Sequence, residues 1–511
     1  MKTIGLLILL IMGISPIVKG VQETFPLEFD ANRYTIQSFT FENKEYKVRA
    51  FENIIYVANP IDTAYQKMNI YIPEGYFHNE SINGYSIESA PIFFPNGIGG
   101  YMPAQPKTLN DAGKRDIFGQ LPGGNTHRTP PPLAGNMKEG SAIHYALSKG
   151  YIVASAGARG RSLKNADGIF TGKAPAGLVD LKAAVCYLRY NDKKIPGNKE
   201  RIISNGTSAG GAMSLLLGAT GDNLDYKPYL EEIGAANVPD HIFAVSAYCP
   251  ITDLDHADCA YEWQFNGINT YEAQMMDMIS GITPNKTTSD QLSEKQIEVS
   301  NQLKVQFPIY LNSLNIKDEK GNTLLLDEQG FGNFRDYVGS YVIQAAQKAL
   351  DAGKDLSNVS WLTIQNGKVT GLDFEGCIRN MKRMKSPPAF DTFDLSAPEN
   401  HLFGTEAINA QHFTEYSYKN DPTKGPLAAE TIIKMMNPLY YIGTPNTNTS
   451  QFWHIRYGTI DNNTSFAIEV IVATLLKNKG YEVDFELAWN RPHMGDYDLG
   501  ELFDWMDKVC K

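Results

Sequence analysis

An α/β architecture, with a mostly parallel sheet covered on both faces and a large inserted domain, is what the sequence predicts. Three observations carry that expectation. Short, wholly apolar strand patterns alternate with helix patterns from Pro91 to Tyr248. The alternation then lapses over a stretch too long for an ordinary connection and resumes at Phe452. Within the first block, the β-branched run Arg201 to Asn205 enters Gly206-Thr-Ser-Ala-Gly210 and continues as the small and apolar helix formers Ala212 to Gly218. Strand, G-x-S-x-G turn and helix in that order form the context of a nucleophile elbow, the mark of an α/β-hydrolase fold. Gly206 and Gly210 have a steric role there, since side chains would collide with the strand or the helix.

The elements can be taken in order. Alternating runs over 34–40, 46–51, 54–58 and 68–72 predict antiparallel strands ahead of the α/β block. Apolar strands follow at Pro91 to Pro95, Tyr151 to Ala156 and Ile242 to Tyr248. Helices are predicted over 141–149 and 176–190, the latter with Leu178, Leu181, Val185 and Leu188 on one face. Inside the insertion, Phe334 to Leu350 has helical spacing, and Trp361 to Val369 reads as a hairpin about Asn366-Gly367. The last block comprises a strand over 452–457, a helix over 465–479, a strand over 483–489 and a helix over 499–509. Asp498 with Glu501 makes a capping pair for that last helix. The division is a hydrolase core over 21–250, an inserted lid domain over 251–437, and the remainder of the core over 438–511.

Composition narrows the classes of function. The chain has 511 residues, 42% of them hydrophobic and 20% charged, and a net charge of −11. That acidity argues against a nucleic-acid partner, whose phosphates call for basic surface. Residues 1–20, with Lys2 and the apolar run Ile4 to Ile14, read as a signal peptide, and the expected location is secreted or periplasmic. No segment is long and apolar enough for a membrane span. The five cysteines show no zinc spacing, and no motif calls for a metal or cofactor. Cys186 and Cys249 fall in apolar patterns and are expected as buried small hydrophobes. Asp318 to Asn322 has a faint calcium-loop look but reads better as a polar turn.

Ser208, at the tip of the elbow, needs a histidine base and an acid to orient it, in the chain order serine, acid, histidine. Of the histidines, His454 lies within a strand, whereas His493 lies in the loop directly after the final strand. His493 is therefore the candidate base. Asp461, in the loop after the strand ending at Tyr457, is the candidate acid. Asp253 and Asp255 are in reserve, while Asp484, Asp496 and Asp498 are worse placed. An oxyanion formed at Ser208 needs preorganised N–H donors. One is expected from Ala209 and another from the glycine-rich loop Pro95 to Tyr101, with the particular amide left open. The absence of a following Lys-Ser/Thr removes a phosphate loop.

Several longer segments go beyond a generic hydrolase: Asn205 to Gly211, Ser246 to Ile251, Ala260 to Asn269, Pro388 to Asp391, Pro398 to Asn400 and Gly495 to Phe503. They strongly resemble the corresponding segments of bacterial tannases, the tannin acylhydrolases that release gallate. The likeness runs from about Phe29 to the end. It implies a Ser208, Asp461, His493 triad with Ala209 and Gly100 as oxyanion amides. It also implies Lys385 and Glu399 as ligands of the adjacent hydroxyls of a galloyl ring. The third ring-binding position, an aspartate in the family, is Asn463 here, which can accept a hydrogen bond but brings no charge. Thr207, Pro492 and Met494 stand where fungal tannases and feruloyl esterases have cysteines, so their tethering disulfide is not expected. The expected substrate is a small phenolic ester. A hydroxycinnamoyl esterase of the same fold is the nearest alternative, ahead of a serine peptidase or a non-catalytic binding protein.

Overall fold

A computed structural model describes residues 24–111, 141–274 and 287–511; the proposed signal segment lies outside the described residues. The first strands are β1 (Thr35–Phe41), β2 (Lys44–Ile55), β3 (Lys67–Pro73), β4 (Pro91–Pro95), β5 (Ile152–Ala156), β6 (Asn198–Thr207) and β7 (Ala244–Tyr248). Two ribbons lie in the insertion, β8 (Thr270–Gln274) with β9 (Thr287–Gln291), and β10 (Leu362–Gln365) with β11 (Lys368–Leu372). Strands β12 (Phe452–Gly458) and β13 (Glu482–Ala488) complete a nine-stranded sheet of order β1-β2-β3-β5-β4-β6-β7-β12-β13.

Strands β1, β2, β3 and β5 pair antiparallel in turn, and from β5 onward β5, β4, β6, β7, β12 and β13 run parallel to one another. Strands β4, β5 and β7 are buried along their whole length, as fully apolar strands between two helical layers must be. The carboxyl ends of β4, β6, β7, β12 and β13 therefore share one edge. Every candidate core residue follows one of those ends.

Two local expectations change. Segments 46–51 and 54–58 form no separate strands but the single β2, bulged between Phe51 and Ile54. Asn53 there takes a φ of 57°, and its N–H donates to Asn69 Oδ1 at 3.0 Å, so the bulge is satisfied without breaking the strand. Nor does Asp498 cap the helix Leu499–Cys510. Its carboxylate accepts from Tyr248 Oη at 2.6 Å and Arg456 Nε at 3.2 Å, and a charge-assisted bond outcompetes a backbone N–H open to water.

The insertion leaves after β7 and returns before β12. Its two crossings are clasped: Asn437 Nδ2 donates to Asp253 Oδ1 and Asp255 Oδ1, each at 2.7 Å, and Tyr310 Oη donates to Asp253 Oδ2 at 2.6 Å. One apolar cluster runs from the sheet into the insertion, where Trp263 packs on Phe307 and Phe334 at ring separations of 5.0 and 5.9 Å. The β10–β11 turn uses Asn366 and Gly367 at φ 50° and 74°, as Asn-Gly hairpins do.

The loop after β5 is anchored by a buried pair. Asp180, in the helix Ala176–Tyr190, accepts from the Arg159 N–H at 2.8 Å and from its guanidinium at 2.9 and 3.0 Å. Asp180→Ala leaves that guanidinium buried without its carboxylate. The expected loss is about 3–5 kcal/mol, read as a lower midpoint in guanidinium chloride unfolding.

Candidate active site

Strand β6 ends at Thr207, and Ser208 turns the chain into the helix Ala209–Ala219 with φ 61° and ψ −124°. Such a conformation costs a residue with a Cβ about 1–3 kcal/mol. The surroundings leave it no alternative. Ser208 N–H donates to Tyr248 O at 3.0 Å, while its carbonyl accepts from Ala212 N and Ile251 N at 3.0 and 3.2 Å. A Cβ on Gly206 would strike the Gly210 carbonyl, and one on Gly210 would strike Asn96 and Ile98. The steric role read from the sequence is thus met by named atoms.

Asn96, which the sequence reading passed over, joins the elbow to the loop after β4. Its Nδ2 donates to Gly210 O at 3.0 Å and Asn205 O at 3.2 Å, while its Oδ1 accepts from Ile98 N at 3.2 Å. An amide ending an apolar strand just before a glycine-rich loop was the available signal. In that loop Gly99 O accepts from Met102 N at 2.9 Å. A trans peptide points its N–H opposite its C=O, so this bond sets the direction of the Gly100 N–H. Neither the Gly100 nor the Ala209 N–H has a hydrogen-bond acceptor among the described residues. At Ala209 that is expected of the first turn of a helix.

His493 and Asp461 meet as the sequence predicts: His493 Nδ1 lies 2.7 Å from Asp461 Oδ2, with the carboxylate fully buried. The other acids are engaged elsewhere. Asp253 holds His256 and Asn437, Asp484 pairs with Arg456, and Asp496 accepts from Asn205 Nδ2. His454 is a buried strand histidine beside Ser246 Oγ at 3.2 Å. Burial disfavours the His493 imidazolium, but Asp461 outweighs it and holds the pKa well above the ordinary imidazole value.

Cys249 is buried, as expected, yet it is more than a hydrophobe. Its thiol donates to Met494 O at 3.5 Å and lies within 4.8 Å of the nearest His493 ring nitrogen and Asp461 oxygen, and burial keeps its pKa above the ordinary thiol value. The described cysteines are all unpaired. Cys249, Asp461 and His493 bring ligand-type atoms within 4.8 Å of one another, as do Asp253, Asp255 and His256. In the second group Asn437, Tyr310 and Tyr440 already donate to the carboxylates, which leaves little basis for a cation. Asp318 accepts from Lys320 N and Asn322 N at 2.9 and 2.8 Å, closing a polar turn.

The insertion brings Lys385 and Glu399 to this edge. Burial pushes the Lys385 pKa down, and Glu399, Asp258 and Asp461 act in the opposite direction, so these charges sense one another. Lys385 Nζ lies 3.6 Å from the centroid of the Phe390 ring. Glu399 is 7% exposed, and its carboxylate has no hydrogen-bond donor among the described residues. Two buried aspartates fix their backbones. Asp258 accepts from Phe390 N and Asp391 N at 2.8 and 3.0 Å, and Asp391 accepts from Asn400 Nδ2 and His412 Nδ1 at 2.6 and 2.7 Å. Tyr261 Oη accepts from Lys385 N and donates to Asn462 O, each at 3.1 Å, so it ties Lys385 to the Asp461 loop. Asn463 does not stand clear as a simple acceptor: its N–H donates to Asp461 Oδ1 at 3.0 Å and its amide approaches the same oxygen at 3.4 Å.

A strained serine turn between a parallel strand and a helix, with an acid and a histidine arriving from later strands of the same edge, defines an α/β-hydrolase. A family model described as BD-FAE matches residues 134–295. The structure is similar to a tannase from Fusobacterium nucleatum at 46% identity and a TM-score of 0.87, covering 95% of this chain and 100% of that one. It is similar to a tannase from Lactobacillus plantarum at 40% identity and a TM-score of 0.86, covering 95% and 100%. A tannin acyl hydrolase in complex with ethyl gallate matches at 40% identity and a TM-score of 0.84, covering 95% and 99%. No curated protein matches the chain. The chain belongs to the bacterial tannase family, whose members are carboxylic ester hydrolases.

Asp461 raises the His493 pKa by stabilising the protonated ring, so Asp461→Asn must lower it. Imidazole NMR across a pH series should show His493 titrating at lower pH in the variant.

Proposed function

We propose that the protein hydrolyses galloyl esters by acyl transfer through Ser208. His493 Nδ1 is committed to Asp461, which leaves Nε2 to take the serine proton as Oγ attacks the ester carbonyl. The Ala209 and Gly100 N–H groups receive the developing oxyanion. Collapse of the tetrahedral intermediate breaks the ester C–O bond, and His493 returns its proton to the departing alcohol. Water, deprotonated by His493, then attacks the acyl-enzyme and releases the acid.

The observation that carries the choice of substrate is the Glu399 carboxylate, which has no hydrogen-bond donor among the described residues and lies near enough to Lys385 to act on its charge. A ring with adjacent phenolic hydroxyls supplies those donors, and an ammonium favours a partly ionised phenol. A relative bound to ethyl gallate supports the same chemistry. Asn463 keeps hydroxycinnamoyl esters as the second reading, because it replaces a charged ring contact with a neutral one. The apolar run Ile4 to Ile14 supports export, and we place the enzyme's work outside the cytoplasm.

Ser208→Ala should lower kcat by about 10⁶-fold, as loss of a triad nucleophile does; retention of hydrolysis contradicts the mechanism. Glu399→Gln should lower kcat/KM on methyl gallate by roughly 10- to 100-fold, the value of a charge-assisted bond of about 1.5–3 kcal/mol. Wild-type enzyme should prefer methyl gallate to methyl ferulate, and Asn463→Asp should widen that preference. Activity requires neutral His493, so kcat/KM should fall as pH drops through its raised pKa, with the acid limb above about 6.5.

A further inference from the structure

We propose that Arg161 is a positioning residue that couples ring recognition to the oxyanion loop. The idea rests on the galloyl-esterase reading above and adds a residue to it. Arg161 lies in the anchored loop after β5, with 2% of its surface exposed. Its Nε donates to Gly100 O at 2.7 Å, and its own N–H donates to Tyr101 O at 2.9 Å. On its other side Nη1 donates to His401 Nδ1 at 3.2 Å. His401 belongs to the short helix Pro398–Leu402, which also carries Glu399. One guanidinium thus touches both the loop that offers the Gly100 amide and the helix that offers the ring-binding carboxylate.

The geometry explains why the loop needs such a clamp. Gly100 and Tyr101 are consecutive left-handed residues, at φ 53° and 57°. For tyrosine that region is disfavoured, and a loop held there by weak contacts would relax and turn the Gly100 N–H away from the serine. Arg161 bonds both carbonyls of this pair, while Tyr101 Oη donates to Ile251 O at 2.6 Å.

Charge and protonation point the same way. Burial lowers the His401 pKa, and the neighbouring Arg161 and Lys173 lower it further, so the ring is a neutral acceptor for Nη1. Burial also works against the Arg161 charge, and Glu399 opposes that effect. Glu399 likewise acts on Tyr101. Lys173 Nζ fixes the far end of the helix by donating to His401 O at 2.8 Å and Asn409 O at 2.7 Å. When phenolic hydroxyls donate to Glu399, its field on Arg161 and on the loop beneath changes. Ring binding and loop geometry are then linked, and such linkage is reciprocal.

Lysine cannot replace this arrangement, because one ammonium lacks the planar fork that spans Gly100 O and His401 Nδ1. The test is a double-substitution cycle of Arg161→Met and Glu399→Gln, read as kcat and KM on methyl gallate and on methyl benzoate, which has no ring hydroxyls. Arg161→Met should lower kcat on methyl gallate by about 10- to 100-fold, the scale of a misplacement of about 1 Å, while KM changes far less. Arg161→Lys should not restore it. The two substitutions should deviate from additivity by about 5-fold or more on methyl gallate and combine additively on methyl benzoate. His401→Leu, which removes only the second arm, should reduce the gallate rate more than the benzoate rate and serves if Arg161→Met fails to fold. Additivity on both esters, a loss confined to KM, or full rescue by lysine overturns the proposal. If wild-type enzyme shows no preference for methyl gallate over methyl benzoate, the galloyl reading itself has failed.

Discussion

The molecule is built to hold Ser208 in a backbone conformation that it would not adopt alone. That turn survives because Gly206 and Gly210 leave room, Tyr248 and Ile251 bond its peptide groups, and Asn96 bridges it to the neighbouring strand end. The parallel register does the rest. Strands β7, β12 and β13 lie side by side next to β6, so residues just past their ends reach the serine's edge of the sheet although they are far apart in sequence. A rigid sheet sets the geometry of bond cleavage, and the loops at its edge need only short reach.

The insertion solves a different problem. A carboxylate and an ammonium must be held near each other without pairing directly, and remain available to a flat hydroxylated ring. Desolvating such charges without hydrogen-bond partners is costly, so their backbones are fixed by groups that are themselves bonded. Asp258 and Asp391 hold the segments that carry Lys385 and Glu399, and His412 between Asp391 and Asp421 secures the second of these. Tyr261 and Arg161 carry that framework across to the acid loop and the oxyanion loop.

Much of this was legible in the chain. The elbow, the strand–helix alternation and the loop positions of His493 and Asp461 follow from apolar periodicity and loop placement, because those features determine which residues reach the carboxyl edge. Lys385 and Glu399 were not readable by pattern, since an isolated lysine and a glutamate in a turn have no period; only family likeness singled them out. Asn96, Tyr261 and Arg161 escaped because their roles depend on contacts across long sequence distances. Asp498 was misread as a helix cap because the sequence does not reveal that Arg456 and Tyr248 compete for its carboxylate. Cys249 was read by its apolar neighbours alone, and only the fold shows it close to His493 and Asp461.

The central claim is that a serine mechanism fixed by the sheet is directed to one acid by charges from the insertion. The most direct measurement is a crystal structure of Ser208→Ala with methyl gallate bound. The account predicts the ring hydroxyls on Glu399 and Lys385, with the ester carbonyl oxygen within hydrogen-bond reach of the Ala209 and Gly100 amides. A ring bound with its hydroxyls facing away from both charged residues, while the carbonyl still occupies the amide pair, would contradict it.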